Sequence, residues 1–504
     1  MNKILAIVVI LIAAVAAYVY IFEPETLEKL TGGNTSDPVE QTRPSRSAPT
    51  TKSPQPSNKP KRATKADLVL PPSDLRLFVN GEPVQPGETR HLSAGTWVIN
   101  GLDQKGNYID ETITAEPGGS YTAALKTRSA ATTTSWDSFQ GNGHRTGFVR
   151  AANRDTLKVR WQTEIEDKVK SSPVIFGDTA YFSSENRLLN AVDLNEGELR
   201  WTAKGLGSHV SPVANETHVF MGNDVGLFNG YRIKDGKKKG STSLNSYATS
   251  LALIGEEAFL ATTRENDVVS IKTKKGLFGK LPLKINWQVS LSSLGGANAT
   301  PLLLDGKAIF VTETEGLVAI SLRDGSRIWP KASGNGSSGP LAGGQQMSLA
   351  LVEGEGFLTP TPAADRKTVY AVLGKQLVAV STDSGEVAWR TTLGYTPSTS
   401  LSLAYGLLYL GDERGRLHAH SAATGAASFA VGVSERSLIA SPVVFRDKVL
   451  VATQEGLVKL VHCFSGKLVA ENDALQGAPI LATPAVDDQA ILVVNKKGRL
   501  VCFE

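Results

Sequence analysis

Two cysteines in 504 residues, Cys463 and Cys502, are too few for a disulfide framework and cannot form a CxxC metal site. One bridge between them is the most they could make. A surplus of one charge is also missing: 53 basic against 49 acidic groups leave +4, too little over this length to mark a nucleic-acid surface. Histidine is scarce, at seven, and the close pair His418 and His420 stands two apart in a strand-like stretch with no third ligand in view. That pair reads as solvated surface. No GxSxG, P-loop or HExxH motif occurs, so nucleophile-elbow hydrolysis, phosphate cradling and zincin chemistry have no sequence support. Long apolar runs are absent beyond the first two dozen residues.

The exception is residues 4–22, ILAIVVILIAAVAAYVYIF. At about 1.5 Å per residue it is nearly long enough to cross a bilayer core of about 30 Å. Lys3 precedes it and Glu23, Glu25 and Glu28 follow, so the positive-inside rule places the rest of the chain outside the cytoplasm. Residues 1–22 are expected to be an uncleaved inner-membrane anchor; Ala14-Val15-Ala16 keeps a cleaved signal sequence open. Either way the bulk of the chain is expected in the periplasm or outside the cell. Residues 23–66 turn to Pro, Ser, Thr, Asn and Lys with few large apolar side chains, and are expected to be a disordered linker. Its basic run Lys52, Lys59, Lys61, Arg62 and Lys65 could touch anionic lipid or cell-wall polymer, but a solvated tether accounts for it.

What is abundant is turn chemistry: 48 Gly and 24 Pro, with few helical patterns, point to an all-β body. Residues 67–127 read as short strands at 75–79, 96–100, 112–115 and 120–125, with Asn80-Gly81 as a type I′ hairpin signal. The order Val79-Asn-Gly-Glu-Pro-Val84, Leu92-Ser-Ala-Gly-Thr96 and Ala115-Glu-Pro-Gly-Gly-Ser120 resembles the PEGA family of small extracytoplasmic β-sandwiches. That resemblance implies a spacer or surface-binding module.

Beyond it a repeat takes over. Ala191-Val-Asp-Leu-Asn-Glu-Gly197-Glu-Leu-Arg-Trp201 recurs as Ala319-Ile-Ser-Leu-Arg-Asp-Gly325-Ser-Arg-Ile-Trp329 and Ala379-Val-Ser-Thr-Asp-Ser-Gly385-Glu-Val-Ala-Trp389. The turn glycines Gly197, Gly236, Gly276, Gly325, Gly385, Gly425 and Gly466 stand 39, 40, 49, 60, 40 and 41 residues apart, so two units carry insertions. A small hydroxyl opens each unit, at Ser172, Ser211, Thr249, Thr300, Thr361, Thr399, Ser441 and Thr483. Units of about forty residues with four short strands are propeller blades, and eight openings predict eight of them over residues 135–504. The last unit stops at Glu504 one strand short, and Lys158-Val-Arg-Trp-Gln-Thr163 is expected to supply that strand and close the ring.

The Ala-x-Asp-x-x-x-Gly-x-x-x-Trp pattern resembles the pyrroloquinoline-quinone-repeat propellers, and residues 135–147 (SWDSFQGNGHRTG) resemble the segment those propellers carry before their first blade. The resemblance implies that the outer-strand tryptophans Trp161, Trp201, Trp287, Trp329 and Trp389 stand at blade junctions, with Trp201, Trp329 and Trp389 substantially buried there. A large aromatic at a fixed offset can cover the gap between twisted sheets. Gly240, Phe429 and Ala470 stand at the tryptophan offset in other units, so those junctions should pack differently. The family divides into quinone-dependent dehydrogenases and non-catalytic scaffolds, some serving outer-membrane protein assembly. The dehydrogenases use a vicinal cysteine disulfide and a calcium site. Neither cysteine here has a cysteine neighbour, and acids such as Asp193, Asp324 and Asp383 fall in turns. No catalytic residue, cofactor or metal is therefore expected, and the chain reads as an envelope scaffold binding proteins, with a dehydrogenase or a glycan or ligand sensor as alternatives. Insertion residues Leu277, Phe278, Leu281, Leu283, Leu341 and Met347 are the expected partner contacts.

Overall fold

The computed structural model describes residues 64–504 except 104, 106, 130–135, 150–154, 166, 205–209, 224, 245, 274–279, 293–298, 313–314, 331–349, 353–355 and 359. The expected anchor at 1–22 and nearly all of the expected linker lie outside them. Among the described residues no helix is long and apolar enough to cross a membrane.

The chain enters with two sheets. In one, Lys65–Val69 lies between Thr89–Ser93 and Ser120–Thr122; the other runs Glu82–Val84, Arg76–Val79, Gly95–Leu102, Asn107–Ala115, Arg128–Ser129. Leu68, Leu77, Trp97, Ile99 and Ile109 make their shared core, each exposed by 2% or less. Asn80 and Gly81 both take positive φ, 48° and 84°, as the Asn-Gly signal requires. The linker expected to run to residue 66 ends earlier, because Lys65 and Ala66 already pair with Ser93 and Leu92.

From residue 174 onward sheets follow one another in chain order as antiparallel meanders, and the seventh adds Phe148–Val149 in parallel beside its first strand. Sheet 1 is Val174–Phe176, Thr179–Ser183, Leu188–Asp193 and Leu199–Lys204; sheets 2 to 7 open at 213, 248, 302, 363, 402 and 443. Sheet 8 takes three strands from residues 485–503 and its fourth, Val159–Glu164, from the N-terminal side, with Glu164 opposite Arg499 and Val159 opposite Phe503. The first three strands of each sheet are buried nearly throughout, because sheets pack on both of their faces; hence runs such as TAYFS. The fourth strand alternates, as in Val387–Thr392, since one of its faces meets water.

The hydroxyl markers link neighbouring sheets around the axis. The Ser172 N–H donates to Ser211 Oγ at 3.0 Å, Thr361 to Ser400 at 3.0 Å, Ser441 to Thr483 at 3.1 Å, and Thr483 to Ser172 at 2.9 Å. The last of these joins the final sheet to the first.

Candidate functional site

The glycine and tryptophan of the repeat form one device. Gly276 lies outside the described residues; each of the other six turn glycines closes its turn with a bond from its N–H back four residues, as Gly197 to the Asp193 carbonyl at 2.9 Å, and sits at positive φ. The tryptophan of the preceding sheet lies flat on that glycine. A Cβ built on Gly197, Gly236, Gly325, Gly385 or Gly425 would come within 2.5 to 2.8 Å of the ring of Trp161, Trp201, Trp287, Trp329 or Trp389 respectively. Each indole N–H then donates to a carbonyl at the same turn: Leu194, Ile233, Leu322, Thr382 and Ala422, at 2.9 to 3.1 Å. The five tryptophans thus sit at sheet junctions, but only Trp329 is fully buried, at 3% exposure. The other four are half-buried because their outer strands leave one ring edge in water.

Three junctions lack the indole, each for a local reason. Gly240 faces the Leu281 backbone so closely that a Cβ would lie 1.8 Å from the Leu281 carbonyl oxygen, and Leu281 donates its N–H to Lys239 at 2.9 Å. Leu281 and Leu283, 4% and 6% exposed, fill this junction with apolar surface. They are therefore packing residues of sheets 2 and 3 and not the partner contacts expected of them. Leu277, Phe278, Leu341 and Met347 lie outside the described residues. Phe429 takes the indole's place over Gly466. At the third junction Ala470 packs against the core cluster shared with sheet 8, and Asn472 donates to the Leu157 carbonyl at 3.1 Å.

The segment before the repeats straps one end of the axis. Backbone N–H groups of six innermost strands donate to it: Ile175 to Trp136, Ala214 to Asp137, Leu303 to Gly143, Ala364 to His144, Leu403 to Thr146 and Val444 to Gly147, at 2.7 to 3.2 Å. Trp136, Gln140 and Arg145 are fully buried in it. Arg145 donates to the Pro301 and Phe139 carbonyls, and burial lowers its pKa to about 10 against the pull of Asp137. A side chain this costly to bury is kept where it ties the strap to sheet 4.

The N-terminal pair of sheets docks on the same rim, over sheets 6 and 7, where the indoles are missing. Phe78 packs at a tilt against His462 and Phe464 with ring centroids 4.9 and 5.5 Å away, and Gly81 packs on Phe429. Asp110 reaches over the Gly406 turn beside Arg128 Nη1 at 3.0 Å, and Thr112 Oγ1 lies 3.1 Å from Ser421 Oγ. Burial raises the Asp110 carboxyl to about 6, partly offset by Arg128. Burial drives His462 the other way, down to about 4. A cleft of about 300 Å³ opens along this seam between Asp74, Arg76 and Asp103 on one side and Arg446, Asp447 and His462 on the other. Its mixed charges give no single-sign field.

His418 and His420 are buried, not solvated as expected. His418 Nε2 lies 2.8 Å from Asp412 Oδ2 and stacks on Tyr395 at 3.6 Å; the Tyr395 hydroxyl lies 2.7 Å from His420 Nε2. These bonds hold both rings in the interior, and among the described residues no three His, Cys, Asp or Glu side chains converge on one point. Cys463 and Cys502 are separate buried thiols. On the opposite rim, Val225 and Tyr247 are 61% and 46% exposed, with Arg264 over the Tyr247 ring at 6.0 Å. Sequence reasoning missed this pair because a lone apolar residue in a turn carries no pattern.

A profile of the family described as outer membrane protein assembly factor BamB matches residues 122–331 and 342–504. A curated relative, outer membrane protein assembly factor BamB of Yersinia pestis, is 25% identical over 344 residues, covering 62% of this chain and 79% of its own. Among solved structures, BamB from Moraxella catarrhalis superposes with a TM-score of 0.55 at 13% identity, over 69% of this chain and 99% of that one. The quinohemoprotein alcohol dehydrogenase from Comamonas testosteroni does so with a TM-score of 0.59 at 13% identity, over 74% and 81%. At such identities the two structures show the fold alone.

Proposed function

Because this chain belongs to the family of outer membrane protein assembly factor BamB, we propose that it is a non-catalytic scaffold of the bacterial envelope that binds proteins during outer-membrane protein assembly. The observation that carries this reading is the strap at residues 136–149. It fills one end of the propeller axis with main chain bonded to six sheets, and the N-terminal unit covers part of the same rim. Among the described residues, the opposite rim exposes Val225 and Tyr247, with Arg264 over the Tyr247 ring, the apolar and cationic groups that protein interfaces favour. The eight successive sheets are read as eight blades, the N-terminal unit as a PEGA-like spacer, and residues 4–22 as a single inner-membrane span with the bulk of the chain in the periplasm or outside the cell.

A photo-crosslinking side chain at Val225 or Tyr247 in living cells is expected to capture envelope proteins that the same group at Lys467, on the other rim, does not. Identical adducts from both rims would refute the docking face. The dehydrogenase alternative is tested separately by titrating the purified chain with pyrroloquinoline quinone and calcium. No stoichiometric spectral change is expected, and binding with alcohol turnover would replace the scaffold by an enzyme.

A further inference from the structure

Several cations of the propeller are answered by acids. Arg200 sits between Asp178 and Asp193, Lys448 between Asp155 and Asp447, Lys307 faces Asp383, Lys459 faces Glu471, and Lys158 and Arg160 share Glu504. Sheets 2 and 3 are set apart by how many lysines they gather. They carry Lys234, Lys237, Lys238, Lys239, Lys272, Lys280 and Lys284, and among the described residues the one ion pair these lysines make is Lys237 to Asp235, at 3.9 Å. Arg232 already holds that aspartate.

The seven lysines form one band. Lys234 and Lys237 lie in the turn that leads into the outer strand Lys238–Ser243. The Leu281 N–H donates to the Lys239 carbonyl at 2.9 Å, which lays the stretch bearing Lys280 along that strand. Lys284 follows in strand Leu283–Ser290 and pairs directly with Lys272. With Arg232 the band holds eight cations, against the four acids Glu216, Asp235, Glu256 and Glu257 at the neighbouring turns. The excess equals the formal +4 of the entire chain. Ile285, beside Lys284, is 44% exposed at its edge.

We propose that this band docks on an anionic lipid surface, with the ammonium groups among headgroup phosphates and Ile285 at headgroup depth. Lysine is a hydrated point charge on a flexible stem, suited to a diffuse array of phosphates. Nucleic acid would call for aromatic platforms, and among the described residues of the band the aromatic side chain, Trp287, is turned onto Gly325 of sheet 4. Residues 4–22, read as an anchor, would hold the band near a bilayer at high effective concentration. The proposal is independent of the scaffold reading.

The test uses the full chain carrying Ile285→Cys, labelled with a fluorescent donor; Cys463 and Cys502 are fully buried and leave this thiol as the reactive one. Vesicles carry an acceptor in the headgroup region and contain either zwitterionic lipid alone or about 30% phosphatidylglycerol. Energy transfer is expected to rise about twofold or more on the anionic vesicles, and to fall back at about 0.5 M salt. It should also fall back in K238E/K239E/K284E, but not in the equally charge-changed K367E/K375E/K467E. Circular dichroism confirms folding, and the milder K238Q/K239Q/K284Q serves if the reversal unfolds. Equal transfer on both lipids, or equal loss in both triple variants, would overturn the proposal. So would low transfer on all vesicles combined with loss of an acidic protein partner in K238E/K239E/K284E.

Discussion

Replacing Trp329 by alanine tests the repeat device where it is most buried. The side chain is 3% exposed, and an indole of this size covers roughly 150–250 Å². At about 25 cal/mol per Å² that is about 4–6 kcal/mol of transfer free energy, and measured Trp→Ala costs in cores are about 3–5 kcal/mol. The Thr382 carbonyl also loses its donor at 3.1 Å. An expected loss of about 4 kcal/mol follows, against about 2 kcal/mol for the half-exposed Trp201 and Trp389. Urea titration followed by far-UV circular dichroism measures it, provided the m-value is unchanged. A second substitution makes the inference specific. Gly385→Ala puts a Cβ 2.7 Å from the Trp329 ring at φ +72°, so alone it both clashes and strains. On the Trp329→Ala background the clash is gone and only a positive-φ cost of about 1–2 kcal/mol remains. The two losses should therefore add to clearly more than the double mutant shows. Additive losses, or a Trp329→Ala cost below about 1 kcal/mol, would refute the stacking of indole on glycine as the junction's source of stability.

Gly240→Ala should destabilise sheets 2 and 3 more than Gly432→Ala, which meets open space, because only the former drives a Cβ into the Leu281 carbonyl; thermal melts of the two variants decide it. Phe78→Ala should cost about 3–5 kcal/mol of docking and raise hydrogen exchange in residues 462–464 with sheets 1 to 4 unchanged. Burial holds His462 neutral down to about pH 4, so the unfolded chain binds the extra proton between about 6.5 and 4. The stability this histidine contributes is complete above about 6.5 and is lost as pH falls towards 4; an NMR titration with a midpoint near 6.5 would contradict its burial. Asp110, raised to about 6, acts oppositely, so Asp110→Asn should tighten docking at pH 7 and change little at pH 4. Replacing Val159–Glu164 by a Gly-Ser stretch should expose the edge of Arg499–Phe503 and cause aggregation on size exclusion; a soluble monomer would show that closure is dispensable.

The repeat, its turn glycines and the strand borrowed from residues 159–164 were legible because each rests on local chemistry at a fixed spacing: a positive φ, a small opposing alanine, an aromatic four residues on. The lead-in segment was recognisable too, but its course was not. Its bonds to six sheets join residues up to about 300 positions apart, and nothing in its own sequence marks which carbonyl meets which strand. Gly240, Phe429 and Ala470 announced unusual junctions, yet only packing decided what replaced the indole: a leucine-bearing loop, a phenylalanine beneath a docked domain, and an alanine packed on the core beside an asparagine bonded to the Leu157 carbonyl. The same loop misled the sequence reading, since Leu281 and Leu283 look like spare apolar residues until sheet 2 closes over them. His418 and His420 likewise read as surface by their polarity and are interior because Asp412 and Tyr395 satisfy them there. Periodicity along a chain determines strands and turns; which buried groups find partners is settled only when distant strands are brought within hydrogen-bonding reach.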